Sequence, residues 1–378
     1  MAIAKITTLT PVHVGSGTTY NRNIDFVQEE GRIGIVDANK VAALIGSDKT
    51  AIDQWVNAID KGTPLLDFLR NGRGLRNVKL DDISERICLL QDTNHQAQNL
   101  KEQYRTSIEG VCIPGSSLKG AIKTAVWNDM ANDGFLERLS VNDLKNRKGH
   151  WDDGTVDTKL FGGSANEQST RFLKIGDAHF GDVLTEVYEM KIINKRFEKW
   201  KFKEGTNLTE VIPSELERSF EFKIDELLLS RNIEKDAERK IWTNHKIEYL
   251  QGGIQGLATL INQFTLGLLN WELDVLEEEK LDTNEAGEAL LDEYDRIYKI
   301  ADKCNSNEFV VRVGGHSGWV FTTGGWVRNE SLSIPDNELK SMRKIIQRNK
   351  EYDMALWPKT RKTTPHGTIF GFVKVQLG

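Results

Sequence analysis

The chain has 378 residues, of which 39% are hydrophobic and 28% are charged; this composition is that of an ordinary globular protein and excludes a largely disordered one. Its length suggests two or three packing units. No stretch approaches the ~20 continuous apolar residues of a membrane span, and the first residues do not resemble a secretion signal, so we expect a cytoplasmic protein. The three cysteines are widely spaced, which argues against a disulfide framework and a cysteine zinc site; we predict no cofactor and no metal.

The charges are distributed unevenly along the chain. The formal net charge is −6, yet residues 272–295 carry eleven acids against the single base Lys280, and residues 340–374 carry nine bases against two acids. One interpretation is two solvated helix faces. The other is a bipolar molecule, with one surface for RNA and another for a protein partner or solvent.

The N-terminal third begins with strand patterns. Residues 3–14 are rich in β-branched side chains and meet glycines, which predicts a strand that runs into a glycine loop. Residues 24–26 and 32–36 predict a hairpin, and Asp37 is placed to cap a helix. From 38 to about 105 the pattern is polar and helical, which indicates a helical insertion.

The middle of the chain alternates short strands with one clear helix. Residues 111–114 predict an extended piece, after which Ser116 or Ser117 caps a helix with an apolar face at helical spacing. Strands are predicted at 172–176 and 185–193, and the alternation of Phe220, Phe222 and Ile224 predicts a half-buried strand.

The last third predicts two long helices, at 247–279 and 286–303. A strand at 309–313 leads into a glycine-rich segment, and a terminal strand covers 368–376. Strands and helices mix without regular βαβ alternation, so the predicted fold class is α+β.

The segment Ile113–Lys123 combines several features that bind anions. Gly115 lets the backbone approach a phosphate, and a helix start presents free N–H groups. Lys119 and Lys123 lie four residues apart on one helix side, and Ser116 and Ser117 add hydroxyl donors. The segment is not a Walker A loop, because Lys119 precedes Gly120 instead of following it. The alternative is an ordinary helix start with exposed lysines.

Further candidate RNA contacts lie near both ends of the chain. His13, Gly15, Ser16 and Gly17 follow the first strand and form either a phosphate cradle or a tight turn. His13 is a conceivable general base, although a structural histidine fits as well. The other candidates are His316 in a glycine cluster, and the trio Lys359, Arg361 and Lys362 before the last strand. The basic and aromatic run at 195–203 fits either a single-stranded RNA contact or the surface of a hairpin.

Several motifs resemble those of the CRISPR-associated RAMP superfamily, in the expected order along the chain. They are LTPVHVGSG at 9–17, IPGSSLKGAIKTA at 113–125, LKIGDA at 173–178, IP at 212–213 with FEF at 220–222, and PKTR at 358–361 with GFVK at 371–374. The last pair is similar to one branch, the fifth subunits of type III-A Csm effector complexes. The resemblance covers most of the chain outside 38–105 and the acidic region.

The resemblance implies tandem ferredoxin-like (RRM-like) RAMP domains with helical insertions, which we place at 1–215 and 216–378, the second with long helices at about 247–303. It implies a non-catalytic subunit that caps the 3′ end of the CRISPR guide RNA and assists its maturation and assembly. Implied partners are the guide RNA, the repeated backbone RAMP subunit, the small helical subunit and host nucleases in guide trimming. The alternative is a metal-independent endoribonuclease that uses His13, His316 and Lys119. No aromatic RNP motif is visible, which favours recognition of the RNA backbone.

Overall fold

The computed structural model describes residues 3–46, 48–91, 97–132, 145, 153–196, 199–203, 207–235, 241–242, 244–279, 281, 285–322 and 360–378. The strands are β1 Ile3–Thr8, β2 Gly15–Asn21, β3 Phe26–Glu29, β4 Arg32–Val36, β5 Ser84–Leu90, β6 Asn99–Gln103, β7 Arg105–Thr106, β8 Gly110–Ile113, β9 Leu173–Ile175, β10 Ala178–Gly181, β11 Glu186–Arg196, β12 Lys199–Phe202, β13 Asn207–Val211, β14 Glu217–Ile224, β15 Glu308–Arg312, β16 Thr360–Thr363 and β17 Phe372–Gln376. The helices are α1 Ala38–Ile45, α2 Lys49–Asp60, α3 Leu65–Asp67, α4 Leu80–Ile83, α5 Gly115–Asn132, α6 Asp153–Phe161, α7 Glu226–Lys235, α8 Asn244–Gln251, α9 Gly253–Glu278 and α10 Glu285–Asp302.

A five-stranded antiparallel sheet joins the two ends of the chain. Its order is β15-β17-β1-β14-β9, and every neighbouring pair is antiparallel. Taken along the chain, β1, α5, β9, β14, α9 and β17 form a βαββαβ unit with strand order 4-1-3-2, the ferredoxin-like arrangement. The predicted α+β fold class, with a ferredoxin-like unit and helical insertions, is therefore confirmed.

A larger sheet contains β2-β6-β13-β11-β5-β4-β3, and β12 and β16 also pair with β11. Two of its strands lie within 38–105, which the sequence pattern indicated as helical. The helical part ends at Ile83, and β5 and β6 follow. The helical prediction is therefore wrong for β5 and β6. Their strand pattern was hidden in the sequence, because charged residues on these strands are mostly buried in ion pairs. Arg86 of β5 lies between Glu102 of β6 and the fully buried Glu210 of β13.

The hydrophobic core covers both faces of the C-terminal edge of the five-stranded sheet. One buried cluster joins alternate residues of β15 and β17 with α5 and the first half of α9, including Leu257 and Ile261. The other joins the intervening residues Val310 and Phe372 with the second half of α9 and with α10. None of the helices in the described ranges is long and apolar enough to cross a membrane.

Most predicted elements outside 38–105 are present with shifted ends. Asp37 caps α1 by accepting hydrogen bonds from the backbone N–H groups of residues 39 and 40. The predicted helix at 247–279 is divided at Gly252–Gly253, where the positive φ of Gly253 separates α8 from α9. The predicted division at residue 215 runs through the five-stranded sheet, since β1 pairs with β14 and β17; the two-domain boundary stays a prediction.

Candidate nucleic-acid interface

A group of basic residues meets where the N-terminal loop, the loop after β15 and one face of the larger sheet come together. We call it the loop–sheet site, and it consists of His13, Lys101, Arg312, His316 and Lys362. Lys101 lies on β6 directly across from Thr209 of β13, and Lys362 lies on β16 opposite residue 192 of β11. The sheet register therefore brings together residues that are far apart in the sequence.

His13 joins the N-terminal loop to its surroundings. Its Nδ1–H donates to the backbone carbonyl of Glu210 at 2.7 Å, and its own carbonyl accepts from the Gly315 N–H at 2.7 Å. A Cβ atom on Gly314 would lie 2.2 Å from this carbonyl, so the glycine permits the close approach of the two loops. His13 is only 3% exposed, and burial is the main reason that its pKa is lowered. This geometry is that of a neutral histidine that holds two loops together.

His316 lies beside His13, with the ring centroids 5.4 Å apart. Its Nε2 is 3.3 Å from the Thr209 hydroxyl, and its ring meets the Phe370 ring edge-on. Burial lowers the pKa of His316 to about 2, and His13, Lys362 and Lys101 add to this effect. At neutral pH the site therefore holds two uncharged imidazoles beside the side chains of Lys101, Arg312 and Lys362.

The two lysines of the loop–sheet site lack a counter-ion among the residues that the structure describes. Neither Lys101 nor Lys362 forms an ion pair with any residue in the described part of the chain. Lys362 is exposed along part of its length, whereas its ammonium end is partly desolvated. This burial, followed by the charges of Lys101 and Arg312, lowers the pKa of Lys362. An anion at this position would relieve the repulsion.

The predicted glycine loop at Gly15–Gly17 is instead the start of β2, an exposed strand with an irregular register against β6. Ser16 Oγ donates to Glu102 at 2.7 Å. Burial alone would raise the pKa of Glu102, but hydrogen bonds from Tyr20 and Ser16 lower it overall. The Ser16 hydroxyl is therefore already hydrogen-bonded to a carboxylate, while Gly17 is exposed with a φ of +94°.

The segment Ile113–Lys123 forms the start of α5, and the first amide of the helix has a carboxylate acceptor. The Gly115 N–H donates to Asp177 Oδ1 at 2.7 Å, so the predicted cap by Ser116 or Ser117 is replaced by an acid from the loop after β9. A Cβ on Gly115 would lie 2.4 Å from the carbonyl oxygen of Ile175. Gly115 therefore serves close packing, and Ser116 is exposed beside it.

Both lysines of this segment have partners within the chain. Lys119 Nζ donates to the carbonyl of Leu173 at 3.0 Å, and Lys123 forms an ion pair with Asp157 and lies over the ring of Phe161. Burial, followed by the charges of Lys174 and Lys123, lowers the pKa of Lys119. An RNA contact of these lysines stays a prediction, and it would compete with the internal partners.

The remaining predicted residues have different surroundings. Arg361 is 6% exposed, and its Nε donates to Glu272 Oε2 at 2.8 Å, so its charge is compensated inside the protein. Lys359 lies outside the described residues. The hairpin β11–β12 contains the basic and aromatic run, where Trp200 is buried and its indole N–H donates to the Glu279 carbonyl. These contacts favour a structural role for the tryptophan.

Lys101, Arg312 and Glu272 were not among the site residues predicted from the sequence. Arg312 interrupts the apolar run of β15, and Glu272 lies on the buried stripe of α9, between Leu268 and Leu276. A charge at a position that the periodicity assigns to the core is a signal that was available in both cases. Lys101 gave no such signal, because it lies among other polar residues in a segment indicated as helical.

Comparisons with known proteins agree with this fold. A chain of a Csm–crRNA–target RNA ternary complex from a type III-A CRISPR–Cas system superposes with a TM-score of 0.68 at 17% identity, with all of both chains covered. Csm5 of T. onnurineus gives 0.64 at 15% identity, with 98% of this chain and 99% of that chain covered. No curated protein sequence matches. The RAMP superfamily model matches residues 5–317, and the chain therefore belongs to the RAMP superfamily.

Proposed function

We propose that this chain is a non-catalytic RNA-binding subunit of a type III-A (Csm) CRISPR effector, which contacts the 3′ part of the guide RNA. Family membership and the likeness in fold to a chain of a Csm–crRNA–target RNA complex and to Csm5 support this proposal. The proposed partners are the guide RNA, the repeated backbone RAMP subunit and the small helical subunit, with host nucleases acting in guide trimming.

The observation that carries the proposal is the uncompensated charge of the loop–sheet site. Lys101 and Lys362 repel each other, and each lacks an ion pair among the described residues. Such an arrangement costs stability in the free protein, and it is offset when a polyanion binds. The exposed start of β2 lies next to β6, which carries Lys101, and it offers backbone N–H groups to the same strand of RNA.

The proposal is tested by reconstituting the effector with and without this chain, using the backbone RAMP subunit of the same system and a guide RNA labelled at its 5′ end. Nuclease footprinting should show added protection confined to the 3′ end of the guide. Replacing both Lys101 and Lys362 with Ala should remove that added protection, because two phosphate contacts are lost.

The control is Lys235→Ala, an exposed lysine at the end of α7 that is not part of the loop–sheet site. This variant should protect the RNA as the unaltered chain does. Added protection at the 5′ end, or no added protection at all from a chain that enters the complex, would contradict the proposed role.

A second candidate function is a metal-independent endoribonuclease, and the contact between His13 and His316 is the observation that favours it. The lowered pKa values weigh against this function, since general acid–base catalysis is most effective with a pKa near the working pH. Incubating the chain with repeat-containing RNA in a chelator separates the candidates. We expect intact RNA, whereas defined cleavage that is lost in His13→Ala would establish the nuclease.

A further inference from the structure

A pocket of about 300 Å³ shares Arg312, His316 and Lys362 with the loop–sheet site and opens between the loop that follows β15 and strand β16. We call it the β15–β16 pocket. Three buried charged residues line it: Glu272, Arg312 and Arg361, which are 0%, 5% and 6% exposed. The exposed residues Thr322 and Lys362 also line it and mark its outer rim. The pocket therefore runs from solvent to a charged inner end.

One atom at the inner end has an unmet hydrogen-bonding capacity. Oε2 of Glu272 accepts from Arg361 Nε at 2.8 Å, whereas Oε1 is buried and has no hydrogen-bond partner among the residues that the structure describes. A buried carboxylate oxygen without a donor is costly, so such atoms call for a physical explanation. A donor group on a bound ligand would satisfy Oε1.

Planar groups form part of the pocket wall and lie directly behind it, since Phe321 and Phe372 contact Arg312 but do not line the pocket. The guanidinium of Arg312 lies 4.8 Å from the ring centroid of Phe321 and 4.9 Å from that of Phe372, and its Nε donates to the carbonyl of Phe370. Tyr294 and Trp319 line the same space. Aromatic rings and arginine planes are the surfaces against which unpaired RNA bases stack.

The Glu272 acceptor distinguishes between bases of similar size. Cytosine carries an amino group at C4, which a carboxylate accepts from, whereas uracil carries a carbonyl oxygen at the same place. A uracil in the same orientation would put two acceptors against each other. The Arg312 guanidinium supplies donors for the C2 carbonyl oxygen that both bases carry, and Lys362 at the rim is placed for the phosphate of the same nucleotide.

We propose that the β15–β16 pocket receives one unstacked base of the bound RNA strand and favours cytosine over uracil. This inference rests on the proposed function, because it requires that RNA binds at the adjoining loop–sheet site. It adds to that function a base-specific contact beside the recognition of the backbone.

The experiment compares binding of oligocytidine and oligouridine strands of about a dozen nucleotides, a length suited to one single-strand site. Fluorescence anisotropy is measured at about pH 8, where the lowered pKa values of His13 and His316 leave both rings uncharged. The unaltered chain should prefer the cytidine strand by about tenfold, the range of one good base contact. Glu272→Gln keeps an oxygen for Arg361 and presents an amide donor to the base, so the preference should disappear or reverse.

Three further variants separate the pocket from general effects. Glu308→Gln makes the same chemical change at a carboxylate that pairs with Lys374 and does not line the pocket, and it should keep the preference. Lys362→Ala should lower the affinity for both RNA strands by the same factor. Thr322→Trp closes the exposed rim without changing the buried ion pair, and it should remove the preference even if Glu272→Gln fails to fold.

The outcomes distinguish the two proposals. Equal affinity for the two strands, unchanged by Thr322→Trp and by Glu272→Gln, would overturn the pocket inference and leave RNA binding in place. Absence of salt-dependent binding to either strand would instead contradict the proposed function itself. A preference for uridine in the unaltered chain would also overturn the assignment of Glu272 as the selecting acceptor.

Discussion

The loop–sheet site and the start of α5 both place lysines beside glycines, yet their charges are in opposite situations. At the start of α5, Lys119 and Lys123 are bound to Leu173 and Asp157. At the loop–sheet site, Lys101 and Lys362 have no counter-ion in the described part of the chain and repel each other. The segment that looked most like an anion site in the sequence is thus the one whose cations already have partners.

The difference shows what a basic motif can and cannot indicate. A motif reports which charges are present, whereas affinity for RNA depends on which charges remain uncompensated after folding. The glycines likewise have roles in the fold that the motif does not reveal. Gly115 is needed for a close backbone approach, and Gly314 for the contact between two loops. Both would be present in a protein of this fold whether or not they touched a phosphate.

The largest effect should come from the glycine at the start of α5. Gly115→Ala places a Cβ 2.4 Å from the Ile175 carbonyl oxygen. The atoms that this Cβ meets belong to the backbone, so the backbone must shift. We expect the free energy of unfolding to fall by about 2 kcal/mol, as in other overpacked sites. Denaturant unfolding followed by circular dichroism measures it.

The matched control is Gly120→Ala in the same helix. A Cβ there meets nothing within 4 Å, and the residue is exposed. Higher helix propensity should therefore stabilise the protein by about 0.5–1 kcal/mol. If both substitutions stabilised the protein, Gly115 would not be a packing residue, and the phosphate-binding interpretation of the segment would regain support.

The second prediction compares two pairs of lysines directly. Replacing Lys101 and Lys362 with Ala should lower affinity for single-stranded RNA by about tenfold, and it should reduce the slope of log K against log salt by about 1.4, the value for two phosphate contacts. Replacing Lys119 and Lys123 with Ala should change affinity by less than about twofold, since those ammonium groups are engaged internally. Anisotropy titrations at several salt concentrations measure both effects.

The stability of the two double variants provides the control. Loss of the Lys123–Asp157 pair should lower the melting temperature, whereas loss of the repelling lysines should leave it equal or higher. If the variant of Lys119 and Lys123 lost more RNA affinity than the other, the α5 start would be the main RNA contact and the comparison would be reversed.

The sequence was sufficient for the elements with a clear hydrophobic period. The alternation of Phe220, Phe222 and Ile224 predicted β14, and the helical spacing of apolar residues predicted most of α5, α9 and α10. It failed at β5 and β6, where Arg86 forms ion pairs with Glu102 and with the buried Glu210 of β13. Burial of charge in pairs removes the alternation on which strand prediction depends.

The residues of the loop–sheet site could be predicted only in part from the sequence. His13, His316 and Lys362 were candidates, and the structure brings them together. The partners of Lys119, Lys123 and Arg361 could not be predicted, because they lie 34 or more residues away along the chain and are set by the packing of α5, α6 and α9. Only the fold shows which cations are left for a ligand.

The smallest predicted effect is a pH dependence of stability that belongs to the loop–sheet site. The pKa of His316 falls from 6.5 to about 2 on folding, so the unfolded chain takes up a proton that the native state does not. Stability should therefore be full above about pH 6.5 and decline as the pH falls below that value. His13 acts in the same direction, because its pKa is also lowered.

His316→Asn tests this dependence, since asparagine tolerates the left-handed φ of +68° at this position. Between pH 7 and pH 5 its melting temperature should fall by about 1–2 °C less than that of the unaltered chain. Saturating RNA should reduce the difference, because a phosphate near His316 stabilises the protonated ring. If RNA left the acid dependence unchanged, bound phosphate would lie away from His316, and the loop–sheet site would have to be separated from the RNA path.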